Sequence, residues 1–125
     1  MVLGSLFCQA EDIGLLYRQY LAQQGKAQVE TGNRLLADAY QQGLIDSVGT
    51  FASLTDEMQA WVHYSSASWA WDQGELDRVA EPAKKALDFA IAWENLSLEG
   101  DCYHLLGAEA QMRGNVYRAI EYFEK

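Results

Sequence analysis

His63, His104, Cys8 and Cys102 are the side chains of this 125-residue chain best suited to ligate a metal or attack a substrate, and their spacing decides whether either chemistry is open to it. Neither histidine has a second His, Cys or carboxylate at the i+4 spacing that puts two ligands on one helix face. The cysteines lie far apart, without a CxxC pair or a histidine companion, so the pattern gives neither a zinc site nor a disulfide framework. Glu11 and Asp12 stand side by side as a carboxylate dyad would. They fall at the start of a helical stretch, however, where negative charge interacts favourably with the helix dipole, and they read as structural. There is no G-x-S-x-G elbow, no P-loop, no G-x-G-x-x-G after a strand and no Cys-His pair at a recognised spacing. Asn95-Leu96-Ser97 matches a glycosylation sequon, a motif too short to carry weight. The expectation is a protein that is not an enzyme and uses neither metal nor cofactor.

Charge narrows the partners. Nine Lys and Arg against eighteen Asp and Glu give a formal net charge of -9, which repels a phosphate backbone or an anionic membrane surface. Nucleic acid is thereby disfavoured, and a basic or apolar protein segment fits better. Half of the residues are hydrophobic, enough for one packed domain of this length. No apolar run reaches the roughly 20 residues of a membrane span. Residues 1–10 stand apart: Val2-Leu3-Gly4-Ser5-Leu6-Phe7 followed by Cys8-Gln9-Ala10 reads either as an apolar lead into the first helix or as the remnant of a secretory signal without its basic n-region. The second alternative implies a periplasmic protein, the first a cytoplasmic one.

The elements that must position any functional side chain are helices. Ile13, Leu16, Tyr17, Tyr20 and Leu21 form an amphipathic stripe that runs to about Gln24, and Gly25 breaks it. A second stripe, with Val29, Leu35, Leu36, Ala39 and Tyr40, ends at Gly43. Leu44 to Ser53 reads as a connection. Ser53 or Thr55 can cap a third helix that runs through Trp61, Val62, Ala67 and Ala70 to Gln73, with Gly74 after it. The fourth carries Leu76, Val79, Ala80, Ala83, Leu87, Ala90 and Ile91 on one face. Pro82 requires it either to start near Glu81 or to kink there. The fifth spans about Leu98 to Arg113, and the sixth begins near Val116 and is still running at Lys125.

Tyr103, Leu106, Gly107, Ala110, Ala119 and Phe123, with Gly114 between the two halves, fall at the offsets of W-x2-L-G-x2-Y followed by A-x3-F. The segment resembles a tetratricopeptide repeat, or TPR, in which Tyr103 stands for Trp and Ala110 for Tyr. A 40-residue step pairs Gly74 with Gly114, Leu76 with Val116, Val79 with Ala119, Ala67 with Gly107 and Ala70 with Ala110. That step exceeds the usual ~34 residues and is similar to the longer-helix variant of some scaffold and bacterial signalling proteins. The likeness is strongest over Tyr103 to Lys125 and fair over Trp61 to Trp93. Before Gly43 only the hairpin pattern survives, as in an atypical cap.

The resemblance implies an all-α fold of antiparallel hairpins, about 11–43, 54–95 and 97–125, stacked as a short right-handed solenoid. Ala67, Ala70, Gly107, Ala110 and Ala119 would allow close approach, while Tyr103, Leu106 and Phe123 fill the adjoining space. It also implies a concave groove lined by the first helix of each hairpin, here Trp61, Tyr64, Ser68, Trp71 and Asp72, then Asp101, His104, Ala108, Gln111 and Met112. This set lacks the Lys, Arg and Asn with which chaperone-tail binders hold a terminal carboxylate. Trp69, outside the groove pattern, is expected in the core, as is His63, which aligns with Tyr103. Ile120 and Phe123 leave an uncapped flank on the last helix, suited to self-association or to further repeats beyond Lys125. The implied function is a protein-protein interaction module that binds a peptide. The alternative is a sensory or regulatory segment of a bacterial signalling protein.

Overall fold

The computed structural model describes residues 13–42 and 55–125, and every regular element among them is helical. The apolar lead, the Glu11-Asp12 pair and the connection expected at Leu44 to Ser53 lie outside the described residues. The helices are α1 (Ile13–Ala22), α2 (Gly25–Gln41), α3 (Asp56–Asp72), α4 (Ala80–Trp93), α5 (Leu96–Met112) and α6 (Val116–Phe123), with a short 3-10 turn at Leu76–Arg78 before α4. Each packs on the next in sequence. The pairs α1·α2, α3·α4 and α5·α6 are joined through α2·α3 and α4·α5, with a lighter contact between α3 and α5.

Helices α3 and α5 are both 17 residues long and begin 40 positions apart, so the step read from the sequence is a repeat of structure here. Both are capped by a side chain that accepts an otherwise orphaned amide: Thr55 from Met58 N–H at 3.2 Å and Asn95 from Leu98 N–H at 3.0 Å. Both end in one motif. Glu75 N–H donates to the Ala70 carbonyl at 2.8 Å and Asn115 N–H to that of Ala110 at 2.9 Å, around Gly74 at φ +74° and Gly114 at φ +80°. Such left-handed backbone costs glycine nothing, so these two residues close the turns. Helix α4 closes in a similar way with Glu94 at φ +61°, so no glycine marks that turn in the sequence. Asn95→Ala is expected to lower stability by about 1 kcal/mol, seen as a fall in the urea midpoint, and Asn95→Asp, which keeps the acceptor, to recover most of it.

The repeat ends at the glycine turns. Val116 opens α6 at once, whereas the chain after Gly74 makes its 3-10 turn first and α4 starts only at Ala80. Leu76 and Val79 are therefore not on the α4 stripe expected for them. Pro82 is the third residue of α4, in the first turn, where its missing N–H would have had no partner, so the helix starts there and needs no kink. Helix α6 ends at Phe123, two residues short of Lys125. Leu21, Tyr40 and Ile91, expected on the inner stripes, are exposed. Each follows a buried residue, Tyr20, Ala39 and Ala90, and the 100° turn per residue carries it off the packed face.

Among the described residues, three clusters make the core. Ile13, Leu16, Tyr17, Tyr20, Leu35, Ala39 and Val62 bind α1 and α2 to α3. Ala67, Ala70, Val79, Ala83, Leu105 and Leu106 bind α3 and α4 to α5, and Ala60, Ala86, Ala90, Leu98 and Cys102 extend that seam. Two glycines set the approach distances. A Cβ on Gly32 would lie 3.0 Å from Val62 Cγ1 and 3.3 Å from the Tyr20 ring, and one on Gly107 would lie 2.5 Å from the Phe123 ring. Gly107 thus lets the Phe123 ring rest on the backbone of α5, the role expected of it.

Candidate cleft on helix α3

Trp61, Ser65, Ser68, Trp69 and Asp72 succeed one another at steps of three or four along α3 with one step of one, so a single face of the helix carries them. That face, with Tyr64, forms one wall of an open cleft of about 290 Å³. The other wall comes from the α1–α2 hairpin: Tyr20 at the end of α1, Gly25 at the turn, and Gln28 and Val29 in the first turns of α2.

Tyr20 holds the two walls together. It is 2% exposed, and its hydroxyl donates to the Trp61 carbonyl at 2.7 Å and shares a 2.6 Å hydrogen bond with Ser65 Oγ, which also reaches the Val62 carbonyl at 3.0 Å. Gln28 Nε2 donates to the Tyr20 carbonyl at 3.2 Å and ties α2 to the same point. Lower on α1, Tyr17 stacks against Tyr20 with ring centroids 5.8 Å apart and donates to Glu57 at 3.1 Å. Burial, then the Glu57 carboxylate, pushes the Tyr17 hydroxyl well above its ordinary range, so it stays a donor.

The lining is aromatic and acidic. The Trp61 and Tyr64 rings meet edge to face at 82° with centroids 6.3 Å apart, and Trp93 backs Trp61 from α4 at 6.4 Å. The outer ring of Trp69 lies over Gly25, 3.5 Å from where a Cβ would be. Asp72 sits exposed at the rim and is the one charged side chain among the described residues of the lining. Burial, followed by the nearby Asp101, Cys102 and Asp72, raises the Tyr64 hydroxyl, which keeps that ring neutral beside the two carboxylates.

Of the groove residues expected from the sequence, Trp61, Tyr64, Ser68 and Asp72 come together here. Trp71 does not: one heptad on from Tyr64, it packs beside it on the cluster of Ala67, Ala70, Val79 and Ala83 and stays outside the cleft. The expected roles of Trp69 and Trp71 are thus exchanged, because two positions on a helix are about 200° apart. None of the α5 positions lines the cleft. Asp101, Gln111 and Met112 are exposed and Ala108 is half-buried. The His104 ring lies 5.6 Å from that of Phe123, on the flank that faces α6. Ser65 stands at helical spacing to Trp61, but the repeat pattern skips it. Tyr20, Gln28 and Val29 had no local signal, since they enter from another hairpin.

Of the packing residues, Ala67, Ala70, Leu106, Gly107, Ala110 and Ala119 are buried, Tyr103 is half-buried, and Phe123 keeps 46% exposure. His63, expected in the core, is half-buried and stacks on Phe89 with centroids 5.9 Å apart. Burial, with Lys85 a smaller cause, lowers it to about 4, so it is neutral near pH 7. Cys102 is fully buried; burial, then Asp101 and Glu99, pushes its thiol up to about 12, out of the range of a nucleophile. Arg113, at the end of α5, pairs with Glu109 and reaches Asp77 of the 3-10 turn at 2.8 Å, fastening the second hairpin to the third. Among the described residues there is no group of three His, Cys, Asp or Glu placed for a metal, and no helix long and apolar enough to cross a membrane. On α6, Ile120 and Phe123 are exposed, as expected from the sequence, and so are Val116 and Tyr117.

No family model, no curated protein and no solved structure matches this chain.

Proposed function

We propose that this chain is a protein-protein interaction module of the TPR kind, its hairpins stacked as a short right-handed solenoid, that binds a segment of a partner protein along α3. One observation carries the reading: Trp61, Tyr64 and Trp69 of α3 line an open cleft while Trp61 and Tyr64 also pack against the core clusters, so half-buried rings remain at its wall. Half-buried aromatic side chains at the mouth of a cleft are what protein interfaces use as anchors, because they offer large apolar area at little entropic cost. The 40-residue repeat of cap, helix and glycine turn in α3 and α5 supports the stacked arrangement. Asp72 at the rim, Asp101 on α5 and the net charge of -9 favour a segment that sets Lys or Arg beside an apolar anchor.

The test is selection of binders from a displayed library of random peptides against the full chain, followed by affinity measurement on variants. Selected peptides are expected to carry an apolar or aromatic residue next to a basic one. Trp69→Ala and Asp72→Lys should each weaken them by at least about 10-fold, with the helical circular dichroism unchanged. If no peptides are enriched, or if both variants bind as the parent does, the reading is wrong.

A further inference from the structure

The geometry points to a specific occupant for the α3 cleft: an organic cation with an alkylated head group, a quaternary ammonium or a methylated basic side chain, held against Trp61, Tyr64 and Trp69 with Asp72 at the rim. This rests on the reading of the cleft as a binding site and adds the chemistry of what enters it.

Three observations carry it. The first is the lining: the Trp61 and Tyr64 rings meet edge to face at 82°, 6.3 Å apart, and both line the cleft, with Trp69 further along the same wall. Aromatic faces attract a cation through their quadrupole, and several rings converging on one volume recognise an alkylated ammonium. The second is charge. No Lys, Arg or His lines the cleft among the described residues, and Asp72 is the one charged group that does. An anion would meet no counter-charge there, while a cation meets the rings and a carboxylate.

The third is the cost of dehydration on a largely aromatic wall, where the Ser65 hydroxyl is already engaged by Tyr20 and Val62. A primary ammonium brings three protons that each need an acceptor, and it loses strong hydration when it enters. An alkylated head carries its charge behind methyl groups, asks for no acceptors, and buries apolar surface on the rings. The volume of about 290 Å³ lies at the small end for ligand sites, which suits a head group or a side-chain tip better than an entire large ligand.

Such a head group has two sources, a free small molecule or a methylated lysine of a partner. The experiment titrates the full chain with choline and with 3,3-dimethyl-1-butanol, its uncharged isostere, and follows the tryptophan indole N–H resonances. Choline is expected to give saturable shifts at Trp61 and Trp69, and the isostere to bind at least about 10-fold more weakly. Asp72→Asn should weaken choline several-fold. Trp69→Ala should abolish the shift at Trp61, and far-UV circular dichroism confirms that this variant is folded.

A second arm compares a peptide carrying trimethyllysine with the same peptide carrying lysine. Tighter binding of the trimethylated peptide than of choline assigns the head group to a partner, and the reverse order assigns it to a free ligand. Either order supports the inference. Equal affinity for choline and its isostere, or no saturation by about 10 mM choline, overturns it. If that occurs while library-selected peptides still bind in a Trp69-dependent way, the cation inference falls and the interaction module stands.

Discussion

Tyr20→Ala is expected to destabilise the protein by about 3–5 kcal/mol and to lower the urea midpoint accordingly, the range found for removing a buried aromatic ring. Tyr20 is 2% exposed, and its ring lies between Tyr17, Gly32 and α3. Removing it takes away the stacking partner of Tyr17 and leaves a void where Gly32 has no side chain to fill in. The hydroxyl is a separate contribution. Tyr20→Phe keeps the ring and loses the bonds to the Trp61 carbonyl and Ser65 Oγ, so a cost near 1 kcal/mol is expected. The two variants also separate packing from positioning. With the ring gone, the α1–α2 hairpin loses its hold on α3, and ligands of the cleft should weaken more than the stability loss at low denaturant would account for. A cost below about 1 kcal/mol for Tyr20→Ala would mean that the hairpin is not seated on α3 as described.

The second large effect is expected at the other end of the molecule. Leu106 is 1% exposed and lies in the cluster that holds α5 against α3 and α4, beside Ala67, Ala70 and Val79. Leu106→Ala should cost about 2–5 kcal/mol by chemical denaturation, since the small alanines around it cannot move to fill the space. Leu96, at the start of the same helix, is 80% exposed and makes the control: Leu96→Ala should change stability by no more than about 0.5 kcal/mol. Similar costs at both positions would contradict the placement of α5. The loss at Leu106 could take a large share of the roughly 5–15 kcal/mol by which domains of this size are stable, so the cleft variants need to be made in the parent background.

Local features were legible. The Gly74 and Gly114 turns, a cap at Ser53 or Thr55 and the helical stripes of α1 and α3 through α5 follow from residue types at fixed offsets, because capping and left-handed turns act within a few residues, and the structure puts the α3 cap on Thr55. The 40-residue step was also legible, and α3 and α5 repeat it to the residue at both ends. What went astray lay where a stripe had to be bounded. Leu21, Tyr40 and Ile91 are apolar and adjacent to buried positions, and only the neighbouring helix decides how wide a stripe it covers. Leu76 within the 3-10 turn and Val79 just after it stand at helical spacing to Ala80 and Ala83, so periodicity alone runs the fourth helix through the turn.

The sequence by itself determined the helical class, the glycine turns at Gly74 and Gly114 with their 40-residue step, the acidic net charge and the absence of catalytic motifs, all of which rest on composition or on residue offsets. It placed five aromatic and polar residues of α3, Trp61, Tyr64, Ser68, Trp71 and Asp72, on one candidate face. The tertiary structure decided which of them share a cleft, exchanging Trp71 for Trp69, and it supplied the opposite wall from Tyr20, Gly25, Gln28 and Val29. The physical reason is range. A helix sets the angle between its own side chains, but which angle faces open space depends on where another hairpin docks, and here that is set by contacts such as Tyr20 with Trp61, 41 residues apart in the chain.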